Sequence, residues 1–211
     1  NNIGGGKHLF RSDSLVTAGT INVNGRWEST GYLAQTDGSI VVDGNSGTAA
    51  GSVEEANPII SINATNANCS GGSITITDPH HSSMFPFVND VDITGNNINA
   101  FSGTHTFYIG DGSSSTAGPV NRGFNFGNGL GSNYAPIQNL VVRSGNGTER
   151  QFRTSIQTGG GTYIKGNVSV INNSDFQHIW VHSPGCAIGG DISVEAGSHF
   201  TSSKNVTLGG V

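Results

Sequence analysis

A short phrase with the pattern of a β-strand recurs along the chain, and this repetition constrains the fold more than any other feature. The two clearest copies are GTINVNG at 19–25 and GSIVVDG at 38–44. In both, two aliphatic residues stand one position apart between small polar residues, which is the alternation of a strand with one buried and one solvated face. Weaker copies begin at Gly72, Val91, Gly166, Asp191 and Asn205. A chain that repeats one short strand so often is predicted to stack its copies.

The composition supports an all-β fold. Glycine accounts for 33 of the 211 residues, and charged residues make up only 11% of the chain. Asn, Ser and Thr therefore replace most of the Lys and Glu that usually keep a protein soluble. No long segment has the 3.6-residue periodicity of an amphipathic helix. The regular β-branched pairs supply apolar surface for a core, which a flexible Gly/Ser linker lacks.

The spacing of the copies favours a right-handed parallel β-helix (β-solenoid). Counted from their first apolar residues, neighbouring copies lie 14 to 24 residues apart, except for one gap in the middle of the chain. A propeller would repeat every 40 to 50 residues or so, and a sandwich of hairpins would need more Asn-Gly turns than the chain contains. The residues used for this count are Ile21, Ile40, Ile60, Ile74, Val91, Phe107, Val168, Ile192 and Val206.

The same pattern divides the chain into three parts. Residues 1–110 are predicted to form β-solenoid coils, and residues 137–211 to continue the same rod. The intervening segment 111–136 is rich in glycine and contains Phe124, Phe126 and Tyr134. We predict that it is a long Gly-rich loop excursion. Long loops on a rigid scaffold often carry binding residues, although its aromatic rings would equally suit packing on the flank of the scaffold.

Three segments resemble the coils of large secreted surface proteins of Bacteroidota. They are 19–44, 136–142 (PIQNLVV) and 161–170 (GTYIKGNVSV). The resemblance implies a β-solenoid surface protein exported by type IX secretion, in the style of the giant gliding-motility adhesins. The triplet Asp13-Ser14-Leu15 matches the short O-glycosylation pattern of that phylum, which makes Ser14 a candidate acceptor. A C-terminal sorting domain of that system is not recognisable, so we expect a piece of a longer protein or a unit continued by neighbouring copies.

The resemblance therefore implies an extracellular, cell-surface location and a non-catalytic role as an adhesin or filament segment, with gliding motility as one setting. Its expected partners are a cell-surface or environmental polysaccharide, neighbouring copies of the same protein, and the type IX secretion machinery. Trp27, Phe124, Phe126 and Tyr134 are the candidate binding residues, because sugars and protein partners favour exposed aromatic rings.

Several other functions have little support in the sequence. The nine Lys and Arg residues are scattered and the net charge is −5, which argues against nucleic-acid binding. No apolar run is long enough for a transmembrane helix. Cys69 and Cys186 are far apart and lack metal-ligand spacing, so we expect two buried free thiols. No cofactor motif and no metal motif is present.

The alternative function is a phage tailspike or a polysaccharide-degrading β-helix enzyme. Such enzymes use paired carboxylates as acid and base or nucleophile. Asp90 and Asp92, which flank Val91, are the best candidate pair. A metal site would need His178, His182 and His199 to approach one another near Asp175. His80 and His81 would point to opposite faces of an extended chain, which makes a poor metal site.

Overall fold

Parallel β-structure accounts for nearly all of the regular backbone. The computed structural model describes residues 2–3, 7–10, 13–43, 59–77, 89–110, 122–125, 135–143, 151–154, 162–172, 175–178, 186–202 and 206–209. Within these ranges one 3-10 turn occurs, at Ala64–Asn66, and the remaining elements are short strands. The strands are β1 Asn2–Ile3, β2 Lys7–Phe10, β3 Ser14–Val16, β4 Thr20–Asn24, β5 Arg26–Ser29, β6 Leu33–Gln35, β7 Ser39–Asp43, β8 Ile60–Asn63, β9 Ala67–Cys69, β10 Ser73–Ile76, β11 Asn89–Thr94, β12 Thr106–Ile109, β13 Arg122–Asn125, β14 Asn139–Val142, β15 Gln151–Thr154, β16 Thr162–Ile164, β17 Val168–Val170, β18 Asp175–His178, β19 Cys186–Ile188, β20 Ile192–Val194, β21 His199–Ser202 and β22 Val206–Leu208.

The strands pair with partners from the preceding and following passes of the chain, and every described pairing is parallel. Sheet 1 has the order β1-β4-β7-β10-β12-β14-β17-β20, and sheet 2 has the order β2-β5-β8-β11-β13-β15-β18-β21. Sheet 3 is β3-β6-β9 and sheet 4 is β16-β19-β22. Between β4 and β9 the chain visits sheets 1, 2 and 3 in turn and then repeats that order. The all-β prediction and the prediction of parallel strands are both confirmed.

Aligned side chains build the core. In sheet 1 one buried row runs through Ile40, Ile74, Phe107, Leu140 and Val168, each the register partner of the next. A second buried row contains Val23, Val42, Ile76, Ile109, Val142 and Val170. Because the register has no offset, every strand presents the same two positions to the interior. Buried residues of all four sheets join one hydrophobic cluster.

The nine residues used to measure the spacing lie in three different sheets. Ile60 and Val91 belong to sheet 2 and Val206 belongs to sheet 4, whereas the other six lie in one row of sheet 1. The residues aligned in that row are Ile21, Ile40, Ile74, Phe107, Leu140, Val168 and Ile192. Strands of different sheets share the same alternation, so the spacing mixed steps within one sheet with steps between sheets.

The predicted loop excursion at 111–136 contains a strand. Strand β13 pairs with β11 on one side and with β15 on the other, so these four residues are part of sheet 2. Residues 111–121 and 126–134 lie outside the described part of the chain. The sequence signal missed β13 because RGFN has no pair of β-branched residues.

Tight corners before the strands of sheet 1 require glycine. Gly72 has a φ of +74°, and a Cβ atom there would lie 2.7 Å from the carbonyl oxygen of Gly38. Gly38, one strand earlier, has a φ of +75° and equally little space. A side chain would be strained by the backbone and blocked by the neighbouring corner. Among the described residues the positions with positive φ are glycines, with Asn172 as the one exception.

Candidate functional site

The structure places the four predicted binding aromatics in different situations. Trp27 is only 2% exposed and belongs to the hydrophobic core, where it is the register partner of Ile60. This corrects the expectation of an exposed ring, because the indole is covered by protein rather than offered to a ligand. Phe124 lies in β13 opposite Val91 of β11. Phe126 and Tyr134 lie outside the described residues.

Ser14, the candidate glycosylation site, lies in β3 at the edge of sheet 3. Its register partner is Leu33, which is buried. Ser14 itself is half-buried. The backbone N–H of Ser14 donates to the carbonyl oxygen of Tyr32 at 2.7 Å. The neighbouring Leu15 is 70% exposed. The strand therefore turns Leu15, rather than Ser14, toward solvent.

Asp92, one of the predicted catalytic pair, shares a row of sheet 2 with Glu28, which the sequence analysis did not single out. Asp92 in β11 is aligned with Ser61 of β8, which is aligned with Glu28 of β5. Asp92 and Glu28 therefore lie in one row, two strand spacings apart, or about 9.6 Å between backbones. Both are half-buried. Asp90 also lies in β11, two residues before Asp92.

The histidines do not form a described metal site. Asp175 and His199 are register partners in β18 and β21, whereas His178 is aligned with Ser202. His182, His80 and His81 lie outside the described residues. Among the residues that the structure describes, no group of three or more His, Cys, Asp or Glu side chains is arranged to hold a metal ion. In the same part of the chain no helix is long and apolar enough to cross a membrane.

The solvated side of sheet 1, which we call the outer face, presents side chains aligned in rows across the strands. Its middle row consists of Asn22, Val41, Thr75, Tyr108, Val141, Ser169 and Ser193. Most of these side chains are half-buried or exposed, and all of them are uncharged. Parallel strands about 4.8 Å apart thus present a ribbon of hydroxyl, amide and small apolar groups. The row is mixed rather than wholly polar, because Val41, Tyr108 and Val141 stand among the Asn, Thr and Ser residues.

A ladder of asparagine side chains borders the outer face. Asn139 Nδ2 donates to the carbonyl oxygen of His105 at 3.2 Å, and Asn139 Oδ1 accepts from the backbone N–H of Asn167 at 3.0 Å. Asn167 Oδ1 in turn accepts from the backbone N–H of Asp191 at 2.9 Å. Each amide therefore links its own strand to the next strand. Such bridges satisfy backbone groups at the corners, where the regular sheet pairing has not yet begun.

We expect Asn139→Ala to lower the free energy of unfolding by about 2 kcal/mol, because two hydrogen bonds to backbone groups are lost. Urea denaturation with the midpoint as readout measures the change. Asn68→Ala is the matched control, since Asn68 is an exposed strand residue and its loss is expected to change stability by less than about 0.5 kcal/mol. Equal effects of the two substitutions would show that the ladder does not contribute to stability.

Among the described residues one cation, Arg143, borders the outer face, directly after the end of β14. The guanidinium carbon of Arg143 lies 4.0 Å above the ring centroid of Tyr108, in cation–π geometry. Arg143 Nε also donates to the carbonyl oxygen of Gly110 at 3.0 Å. The stacked ring and the fixed Nε–H hold the guanidinium in one orientation. Its two terminal nitrogens have no hydrogen-bond partner among the described residues.

A buried polar pair lies on the opposite side of sheet 1, beneath the corner that leads into it. Gln35 and His105 are both fully buried, and His105 Nε2 lies 3.2 Å from Gln35 Oε1. Gln35 Nε2 donates to the carbonyl oxygens of Gly38 and Ser73. Since the amide nitrogen is committed to those carbonyls, Oε1 accepts and His105 Nε2 carries the proton. His105 Nδ1 is then an unprotonated, buried nitrogen with no hydrogen-bond partner among the described residues.

The surroundings of this pair make it a structural feature rather than a reactive one. The His105 ring lies 5.0 Å from the ring of Phe101. Burial, with a smaller contribution from the charge of Lys165, lowers the pKa of His105 to about 3. Burial also raises the pKa of the Cys69 thiol to about 12, so this free cysteine is a poor nucleophile. The prediction of a buried free thiol is confirmed for Cys69.

Lys165 joins two parts of the structure that no described strand pairing connects. Its Nζ donates to the carbonyl oxygen of Ile98 at 3.0 Å and also to that of Phe101. Phe101 bridges to the end of sheet 3, whereas Ile164, next to Lys165, is in sheet 4. Burial lowers the pKa of Lys165. The ammonium group therefore serves as a tie between backbone carbonyls.

The sequence interpretation missed Tyr108 and Arg143. Neither residue stands out by itself, because each follows an apolar residue at the end of an ordinary strand. An alignment of TFYIG at 106–110 with NLVVR at 139–143 is the signal that would have found them. In that alignment Tyr108 matches Val141 and Arg143 matches Gly110, so the ring and the guanidinium are diagonal neighbours on one face.

Comparison with known proteins identifies no relative of this chain. No protein-family model, no curated protein and no solved structure matches the chain.

Proposed function

We propose that this chain is a right-handed parallel β-helix from an extracellular surface adhesin or filament protein, and that it acts as a stiff, non-catalytic stalk with an adhesive flank. The observation that carries the proposal is the strand order. Eight strands follow one another in parallel register in sheet 1, and eight more do so in sheet 2. A chain that returns to the same sheets in the same order is suited to a repeated rod.

The physical consequences of such stacking suit a load-bearing element. Backbone hydrogen bonds between successive strands run along the stacking direction, and the buried rows of Ile, Val, Leu and Phe fill the interior continuously. Seven steps of about 4.8 Å would give sheet 1 a length of roughly 34 Å. In a repeated array each layer contacts only its neighbours, so the rod gains stability by adding layers rather than by deepening its core.

The outer face supports the adhesive part of the proposal. It is broad and uncharged except at Arg143 and at its margins, and it offers hydroxyl and amide groups at strand spacing. These groups match the hydroxyls of an extended polysaccharide, the partner class that we favour. An exported surface protein of the Bacteroidota type, with type IX secretion and gliding motility as its setting, remains the proposal that the sequence resemblance suggests for location and route.

Two measurements test the proposal. Small-angle X-ray scattering of the purified chain should give the distance distribution of an elongated particle, with a cross-section that does not change with concentration. Beads coated with the folded chain should adhere to immobilised polysaccharides, whereas beads coated with the heat-unfolded chain should not. A spherical particle would contradict the rod, and equal adhesion by folded and unfolded chains would contradict the adhesive face.

The second candidate function is a polysaccharide-degrading β-helix enzyme, which one observation favours. Glu28 and Asp92 share a row of sheet 2 at about twice the strand spacing, and this is close to the wide end of the carboxylate separations that inverting glycosidases use, about 6.5 to 9.5 Å. Release of reducing ends from a polysaccharide panel tests this candidate. If the wild type releases reducing ends and each of the variants Glu28→Gln and Asp92→Asn abolishes that release, the chain is an enzyme and the proposal of a non-catalytic stalk is wrong.

A further inference from the structure

We propose that Arg143 and Tyr108 form a subsite for a carboxylate-bearing sugar unit, such as a uronate within an acidic polysaccharide. This inference rests on the proposed adhesive function and names the ligand chemistry of two residues of the outer face. Arg143 is the one cation on the outer face among the residues that the structure describes. A ligand that uses this position must therefore supply a negative charge or a hydrogen-bond acceptor.

The guanidinium is prepared for a planar, two-oxygen ligand. The Tyr108 ring supports one of its faces and Gly110 accepts its Nε–H, so rotation of the side chain is restricted before any ligand arrives. The terminal nitrogens are the ones that bind a carboxylate through two parallel hydrogen bonds. Little side-chain entropy is lost on binding when the donor is already fixed.

No described carboxylate neutralises this charge. Within the row that contains Arg143, the adjacent positions are Gly110 and Ile171. Glu195 lies two strands from Arg143, and its Oε2 accepts from the backbone N–H of Asn172 at 2.6 Å. Asp43 lies three strands away on the other side. In a chain with a net charge of −5, this arginine is held in place without an acidic partner among the described residues, so its terminal nitrogens can bind an added carboxylate.

The neighbours of the pair favour a sugar over the side chain of another protein. Val141, aligned with Tyr108, gives a small apolar step, and Ser169 and Ser193 extend the middle row with hydroxyl groups. Asn139 begins β14 and Arg143 directly follows its end, so the two residues lie at opposite margins of the face. Sugar rings present apolar faces and peripheral hydroxyls, so an extended acidic chain would find a matching group at successive strands.

Isothermal titration with defined oligouronates tests the subsite, with the methyl-esterified oligomers as neutral probes. We expect the folded chain to bind the acidic oligomer and to lose affinity at least about tenfold when the carboxylates are esterified. Arg143→Gln should reduce affinity by a similar factor. Arg143→Lys should reduce it less, because the charge remains and the two-oxygen geometry is lost. Arg153→Gln, which removes the same charge from sheet 2, is the matched control and should bind like the wild type.

The possible results separate this inference from the proposed function. Binding of acidic and esterified oligomers with equal affinity, or unchanged binding by Arg143→Gln, would overturn the subsite and leave a neutral adhesive face. Absence of binding to every acidic and neutral glycan would overturn both. Sedimentation velocity tests whether Arg143 instead binds a second copy of the chain. An oligomer that dissociates in Arg143→Gln would mean that the guanidinium binds a carboxylate of a second copy, which would also overturn the glycan subsite.

Discussion

Phe107→Ala is expected to lower the free energy of unfolding by about 3 to 5 kcal/mol, the range for removing a large aromatic side chain from a packed core. Phe107 is fully buried in the central row of sheet 1, between Ile74 and Leu140. Its neighbours belong to strands that are fixed by backbone pairing on both sides, so they have little freedom to close the cavity. Equilibrium denaturation in urea, monitored by far-ultraviolet circular dichroism, gives the change.

Tyr108→Ala is the matched control for this prediction. It removes a ring of nearly the same size from the next residue of the same strand, but from the outer face. We expect a loss of about 1 to 2 kcal/mol, from partial burial and from the contact with Arg143. Phe107→Leu retains most of the side-chain volume and should lower the free energy of unfolding less than Phe107→Ala does. It keeps the prediction testable if the Phe107→Ala chain fails to fold. A larger loss for Tyr108→Ala than for Phe107→Ala would show that the inner and outer faces are assigned the wrong way round.

The fold class was predictable because strand alternation is a local property. Val23 and Val42 stand at the same place in two copies of one phrase, and the structure aligns them as register partners in the core. Membership of a particular sheet was not predictable. Ile60 and Ile62 have the same alternation as Ile21 and Val23, yet they lie in sheet 2. What separates them is the length and direction of the connecting segments, and single-strand patterns carry no information about these.

The candidate site was less predictable than the fold. Residue type alone makes Trp27 a candidate for an exposed binding ring. Its burial follows from its alignment with Ile60, a contact between residues 33 positions apart in the sequence. Tyr108 and Arg143 are neighbours because β12 and β14 are aligned in the sheet, and the sequence alone does not give this alignment. A binding surface on a stack of strands consists of residues from different passes, so it depends on register rather than on any contiguous motif.

His105 has the same dependence on the neighbouring passes. From Gln35 to Ile40 and from Cys69 to Ile74 the corner into sheet 1 has the same length, but from Phe101 to Phe107 it is one residue longer. His105 lies in this longer corner, and its ring is directed into the core against Phe101 and Gln35. The insertion creates a titratable group with no access to solvent.

Acidification from pH 7 to pH 5 is therefore expected to lower the free energy of unfolding by about 2 kcal/mol through His105 alone. Burial, aided by the positive charge of Lys165, lowers the pKa of His105 from 6.5 to about 3 in the folded chain. The unfolded chain then binds a proton more readily than the folded chain does, so stability falls as the pH falls. This contribution is complete above pH 6.5 and is lost progressively toward pH 3, for a total of about 5 kcal/mol.

Two variants isolate this group in urea denaturation at a series of pH values. His105→Gln keeps a neutral donor for Gln35 Oε1 and has no group that titrates in this range. It should be less stable than the wild type at pH 7 and should lack the 2 kcal/mol dependence between pH 7 and pH 5. His199→Gln removes an exposed histidine and should retain the wild-type dependence. The assignment would be refuted if His105→Gln kept the full pH dependence. In that case the acid sensitivity would belong to other groups, and the unpartnered Nδ1 would be accommodated in the core without cost when it binds a proton.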